Sequence, residues 1–203
     1  MMKRTSKDLI RVALLKAMSY AEYRELIGQL ADLGKSTGLE QSEALTNYTQ
    51  LNHKRMKRWD KTLKLDEASL KVIGSYRKRT TWMVLTESWC GDASPSMPVM
   101  NKIAELNANI AFKILLRDEN LDLMNHFLTN GSMSIPKLIA IDDQTGEVCY
   151  TWGPRSTKAT KLVEAHKAEH ETLTADFKQD LQVWYNNDKG QSVLEDLMQL
   201  LLK

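Results

Sequence analysis

The chain has 203 residues, 42% hydrophobic and 27% charged, with a formal net charge of +2. This is the make-up of a folded globular protein with room for one domain and an elaboration, and so balanced a charge gives no electrostatic case for a nucleic-acid partner. Two cysteines, Cys90 and Cys149, exclude a disulfide framework and point to a reducing compartment.

Apolar runs are short. Val12–Leu15 lies between Arg11 and Lys16, too short for a signal peptide, and no run approaches the roughly 20 apolar residues of a membrane span. The expectation is a cytoplasmic protein with no membrane partner. The basic start, Met1 to Arg4, has the charge of a transit peptide, but Asp8, Glu22 and Glu25 argue against one.

Residues 1–64 read as a helical extension. Ser19 and Glu22 form a capping box, and Tyr23, Leu26, Ile27, Leu30 and Leu33 follow at helical spacing up to Gly34. A long helix is expected from Ser42, with Leu45, Tyr48, Met56, Trp59 and Leu63 along one stripe packed on the core. The other face carries His53, Lys54, Arg55, Lys57, Arg58 and Lys61. This is either a solvated face or a basic patch, and no stacking platform or helix-turn-helix glycine accompanies it. The same helices are alternatively the arm of a homodimer.

Residues 65–170 change texture. Asp66 caps a short helix to Tyr76. Strands are expected at Thr80–Glu87, Ile110–Leu116, Lys137–Ile141 and Glu147–Trp152, the last two joined by the turn Asp143–Gly146. Helices are expected at Ala93–Asn107 and Asn120–Leu128. Residues 171–203 read as a C-terminal helical extension, broken near Asn187–Gly190. Alternating strands and helices define an α/β fold with at least one parallel pair and helices on both sheet faces. In such sheets ligands gather at the carboxyl ends of strands.

Cys90 stands at such an end, between a strand and the next helix. Helix N-terminal N–H groups favour a thiolate, the reactive form of cysteine, and Gly91 removes bulk beside the sulfur while Trp89 offers a flat wall. The alternative is an inert cysteine at a helix start.

The segment Trp89-Cys90-Gly91-Asp92-Ala93-Ser94-Pro95-Ser96-Met97-Pro98 resembles the thioredoxin active-site motif, with Pro98 at the place of the helix-kinking proline. Ser134-Ile135-Pro136-Lys137-Leu138 is similar to the thioredoxin cis-proline loop. The hairpin at Gly146-Glu147-Val148 and then Gly153 complete the likeness, which spans roughly Asp66 to Glu169. The chain resembles bacterial thioredoxin family proteins with a helical N-terminal extension. The resemblance implies a thioredoxin-like fold, a central mixed sheet with helices on both faces, with Cys90 as nucleophile. Trp89, Gly91, Asp92, Ile135 and Pro136 would shape the groove, and Ile135 would pair with a substrate backbone.

The departures are chemical. The second cysteine of the motif falls at Ala93, and the buried aspartate of the family at Val84. A dithiol cycle cannot close within the motif, and a mixed disulfide on Cys90 would need an outside thiol. Cys149, mid-strand in the hairpin before the last helix, is the only candidate in the chain for that second thiol; the alternative is a buried strand residue. Asp92 opposes the helix terminus in setting the Cys90 pKa, and the sequence leaves their sum open. Arg117 and Arg155 are candidate electrostatic modulators, or surface ion-pair residues. His166 and His170 have ligand spacing without a third ligand, so no metal and no cofactor is expected. The functional expectation is a monothiol protein acting on protein thiols or disulfides, or on a low-molecular-weight thiol. It requires a sulfur that is accessible and easily ionised. The alternative is a redox-inactive binding module on the same fold.

Overall fold

The computed structural model describes residues 4–203; Met1, Met2 and Lys3 of the basic start lie outside the described residues. Four strands form one sheet in the order β2-β1-β3-β4: β1 (Thr80–Thr86), β2 (Ile110–Leu116), β3 (Lys137–Asp142) and β4 (Val148–Trp152). β1 runs parallel to β2, with Thr80 beside Ile110, and antiparallel to β3, which pairs antiparallel with β4. The parallel pair requires a crossover, and α5 (Ala93–Leu106) makes it, with Pro98 inside the helix.

The central strands are apolar and fully covered. Trp82, Met83, Val84 and Leu85 of β1 and Leu138, Ile139 and Ala140 of β3 have no exposed surface. Burial on both faces is what a strand between two helical layers requires. α1 (Ser6–Leu14), α2 (Tyr20–Asp32) and α3 (Glu43–Thr62) supply Ile10, Ala13, Tyr23, Ile27 and Met56 to this core, and α4 (Glu67–Ser75) supplies Ile73. α6 (Leu121–Met124) is a single turn, much shorter than the helix expected over 120–128.

The C-terminal part divides into α7 (Thr157–His170), α8 (Ala175–Asp188) and α9 (Gln191–Leu201). The break at Lys189–Gly190 lies within the expected interruption; the one at 171–174 was not expected, and Glu171 there has a φ of 55°. α9 packs Val193, Leu194, Leu197, Met198 and Leu201 into the main core. α8 does not join it. Leu181 and Tyr185 instead form a second, small cluster with Ala159 and Val163 of α7. His166 stacks on Phe177 at 4.0 Å in the same helix pair.

The buried face of α3 differs from the expected stripe. It is Thr49, Asn52, Met56 and Trp59, whereas Tyr48 is 41% exposed. The two polar residues turn inward because Ser88 is there to receive them. The Thr49 and Ser88 hydroxyls lie 2.8 Å apart, and the Asn52 amide donates to the Ser88 carbonyl at 2.9 Å. Thr37, in the loop before α3, donates its N–H to the Ser88 hydroxyl at 2.9 Å and accepts the Ser88 N–H at 2.8 Å. Buried polar groups satisfied in this way are costly to separate.

Gly153, after β4, closes on the loop preceding β3. Its φ is 114°, and a Cβ there would sit 2.1 Å from the Pro136 carbonyl oxygen. Gly153→Ala is therefore expected to destabilise the protein by more than about 1 kcal/mol, read as a lower urea midpoint. An unchanged midpoint would show that the two segments do not approach as described.

Candidate functional site

The site forms where β1 ends. After Thr86 the chain turns through Glu87, Ser88 and Trp89 to Cys90, and α5 starts at Ala93. The Cys90 N–H donates to the Glu87 carbonyl at 3.1 Å, and the Ala93 N–H to the Cys90 carbonyl at 3.3 Å. The turn points the thiol at Ile135, whose carbonyl oxygen accepts from Sγ at 3.2 Å. The Ile135–Pro136 bond is cis, as is Gly153–Pro154. Trp89, Cys90, Gly91, Asp92, Ile135 and Pro136 thus lie on two chain segments that meet at the sulfur.

The sulfur is covered. Cys90 is 7% exposed and Ile135 equally so, with the Ile135 carbonyl already engaged by the thiol. Burial, and then the Asp92 carboxylate, push the Cys90 pKa up to about 12; the Ala93 and Asp92 amides and the Arg155 guanidinium pull the other way without offsetting them. The expectation of an accessible, easily ionised thiol is therefore corrected. Removing the thiolate from water costs more than a helix terminus returns.

Asp92 opens α5 without capping it by its side chain. One carboxylate oxygen pairs with Arg155 at 2.6 Å, and the other accepts the Tyr185 hydroxyl at 2.9 Å. Burial raises the Asp92 pKa, chiefly against the pull of Arg155. Tyr185 belongs to α8, so the far end of the chain is fastened to the residue two places after the thiol. α8 also brings the Gln182 amide to 3.7 Å from where a Gly91 Cβ would be.

Arg117 takes a different place from Arg155. Its guanidinium lies 5.0 Å from the Trp89 ring centre and pairs with Asp118 at 2.7 Å, so it braces Trp89 and is not bonded to the sulfur. Cys149 is exposed on β4, one of the sheet's two edge strands, and not buried as expected; both cysteines are free. Glu87 is a residue the sequence reading passed over. It is fully buried and accepts the Asp118 N–H at 2.8 Å through Oε1, while Oε2 has no partner, and burial lifts its pKa. A charged residue at the end of an apolar strand was the available signal. Tyr185 carried no such mark, since its partner lies 93 positions away. Among the described residues no group of three or more His, Cys, Asp or Glu side chains is arranged to hold a metal ion, and no helix is long and apolar enough to cross a membrane.

The fold and the thiol facing a cis-proline loop define a thioredoxin-like protein. A family model described as thioredoxin matches residues 38–171, and the chain belongs to that family. The match begins one residue after Thr37 and takes in Thr49 and Asn52 of α3, two of the three partners of Ser88. Among solved structures, a protein of unknown function from Pseudomonas aeruginosa is similar at a TM-score of 0.59 and 17% identity, over 90% of this chain and 96% of the other. An HIV epitope-scaffold is similar at a TM-score of 0.58 and 16% identity, over 90% of this chain and 97% of its own. At such identities the likeness is one of fold. No curated protein matches the sequence.

The Cys90 shift has a consequence for stability. A free thiol ionises near 9.0 and this one near 12, so its contribution is whole below pH 9 and is lost as pH rises towards 12. In a Cys149→Ser background, the stability difference between the protein with Cys90 and its Cys90→Ala variant is expected to shrink from pH 8 to pH 11 in urea unfolding. A constant difference would show that the folded thiol ionises normally.

Proposed function

We propose that this thioredoxin family protein is a guarded monothiol: Cys90 undergoes thiol–disulfide exchange or reversible capping only when α8, fastened to Asp92 and set against Gly91 beside it, is loosened. The observation that carries this reading is the Sγ of Cys90 at 3.2 Å from the Ile135 carbonyl, at the head of α5. There a sulfur and a backbone acceptor for an extended substrate share one point. The thiol's own bond to Ile135 occupies the position a substrate strand would take.

The chemistry is an exchange with a disulfide. Cys90 gives up its proton, the thiolate attacks one sulfur of RS–SR, the new Cys90–SR bond forms, and RS⁻ leaves and takes up a proton. With Ala93 at the place of a second cysteine, release of the cap needs a thiol from another molecule. In the closed form a pKa near 12 leaves roughly three orders of magnitude less thiolate at neutral pH than a free cysteine has. The guard is therefore both steric and electrostatic, and Tyr185 supports the second by holding the Asp92 carboxylate beside the thiol.

The second reading, a redox-inactive binding module, is favoured by the same burial. A Tyr185→Phe variant separates the two. It removes the hydroxyl that fastens α8 to Asp92 and keeps the ring in its apolar cluster. In a Cys149→Ser background, labelling of Cys90 by the neutral disulfide 4,4′-dithiodipyridine is expected to be slow, and at least about tenfold faster in Tyr185→Phe, the step expected for loss of one hydrogen bond of about 1.5 kcal/mol. Labelling that occurs only at the rate of global unfolding, in both proteins, would leave the binding module as the function.

A further inference from the structure

Beside Cys90 lies a cleft of about 590 Å³, within the usual range of small-molecule sites. Trp89, Gly91 and Asp92, the residues flanking the thiol, form one side of it, and Cys90 itself does not line it. α3 contributes Leu45, Tyr48 and Arg55; α8 contributes Lys178 and Gln182; Arg155 stands at the base beside Asp92. The cleft combines an aromatic and aliphatic wall with three cations against one carboxylate.

That carboxylate is already committed. Both Asp92 oxygens are engaged, by Arg155 and by Tyr185. Neither Arg55 nor Lys178 has a carboxylate within ion-pair distance among the described residues. Arg55 is half-buried, and its guanidinium makes a single long bond, 3.4 Å to the Asn52 side-chain oxygen. The buried Nε of Arg155 has no partner. An unpaired guanidinium in a partly desolvated cleft is a strong carboxylate receptor, and a planar one suited to two parallel hydrogen bonds.

We infer that this cleft binds a small thiol or disulfide bearing carboxylates, with its anionic groups on Arg55 and Lys178, its apolar part against Trp89 and Tyr48, and its sulfur towards Gly91. The assignment of a thiol rests on the reading of Cys90 given above; the assignment of an anion stands on the cleft alone. The class follows from three features of the walls. The cations require negative charge, the confined volume requires a small molecule, and the lining by Trp89 and Gly91 puts the ligand's middle one residue away from the thiol that would exchange with it.

S-methylglutathione, a peptide thioether with two free carboxylates, tests the anion without any redox step. Its binding to the full chain is read by calorimetry alongside its dimethyl ester. Saturable binding of the free acid is expected, with at least about a tenfold loss for Arg55→Ala and for the ester, a smaller loss for Lys178→Ala, whose side chain is exposed, and no loss for Lys57→Ala, which removes the same charge from the exposed face of α3 outside the cleft. No saturable binding, equal binding of the ester, or a loss in Lys57→Ala equal to that in Arg55→Ala would overturn the inference. The two readings fail separately. Binding of the thioether with no capping of Cys90 in Tyr185→Phe by glutathione disulfide or by 4,4′-dithiodipyridine would leave an anion site and remove the thiol chemistry. Capping by 4,4′-dithiodipyridine with no thioether binding would leave the chemistry and remove the site.

Discussion

The turn carrying the thiol is held from outside the sheet it belongs to, through Ser88. Its N–H, carbonyl and hydroxyl are all engaged by Thr37, Thr49 and Asn52, residues of the loop before α3 and of α3 itself. None of these bonds reaches solvent, so no water stands ready to replace one that breaks. The extension therefore fixes the entry angle of the active-site turn, which in turn sets where Cys90 meets Ile135. This is why two polar side chains occupy the inward face of α3, where periodicity alone would place apolar ones.

A second constraint acts from the other end of the chain. Asp92 stands where the family motif has a proline, and its charge is placed where the protein must neutralise it. Arg155 and Tyr185 do so, and their doing so recruits α8 to the site. One residue thus links three features: a carboxylate beside the thiol, a guanidinium beside the carboxylate, and a helix fastened to it.

Much of the fold was legible because its signals are local. β-branched and aromatic runs marked the four strands, Ser19 with Glu22 and Asp66 marked helix starts, and the cysteine and proline motifs fixed the family. What was not legible depended on distant partners. Thr49 and Asn52 look like surface residues until Ser88 is known to lie beneath them. Cys149 looks like a core residue until β4 proves to be an edge strand. The pKa of Cys90 is a sum of opposed contributions, and the largest, desolvation, is set by residues remote in sequence. A helix terminus can be read from a motif; the dryness around it cannot.

The separate apolar cluster of α7 and α8 sets how cooperatively the molecule melts. Leu181 and Tyr185 share their burial with Ala159 and Val163 and not with the sheet. Only that small cluster and a few polar contacts need to be given up for α8 to part from the body, whereas α9 is committed to the main core. By that measure α8 is held on a lower energy scale than the sheet and α9. The helix that holds Asp92, two residues from the thiol, is thus attached through less buried apolar surface than the strand that carries the active-site turn.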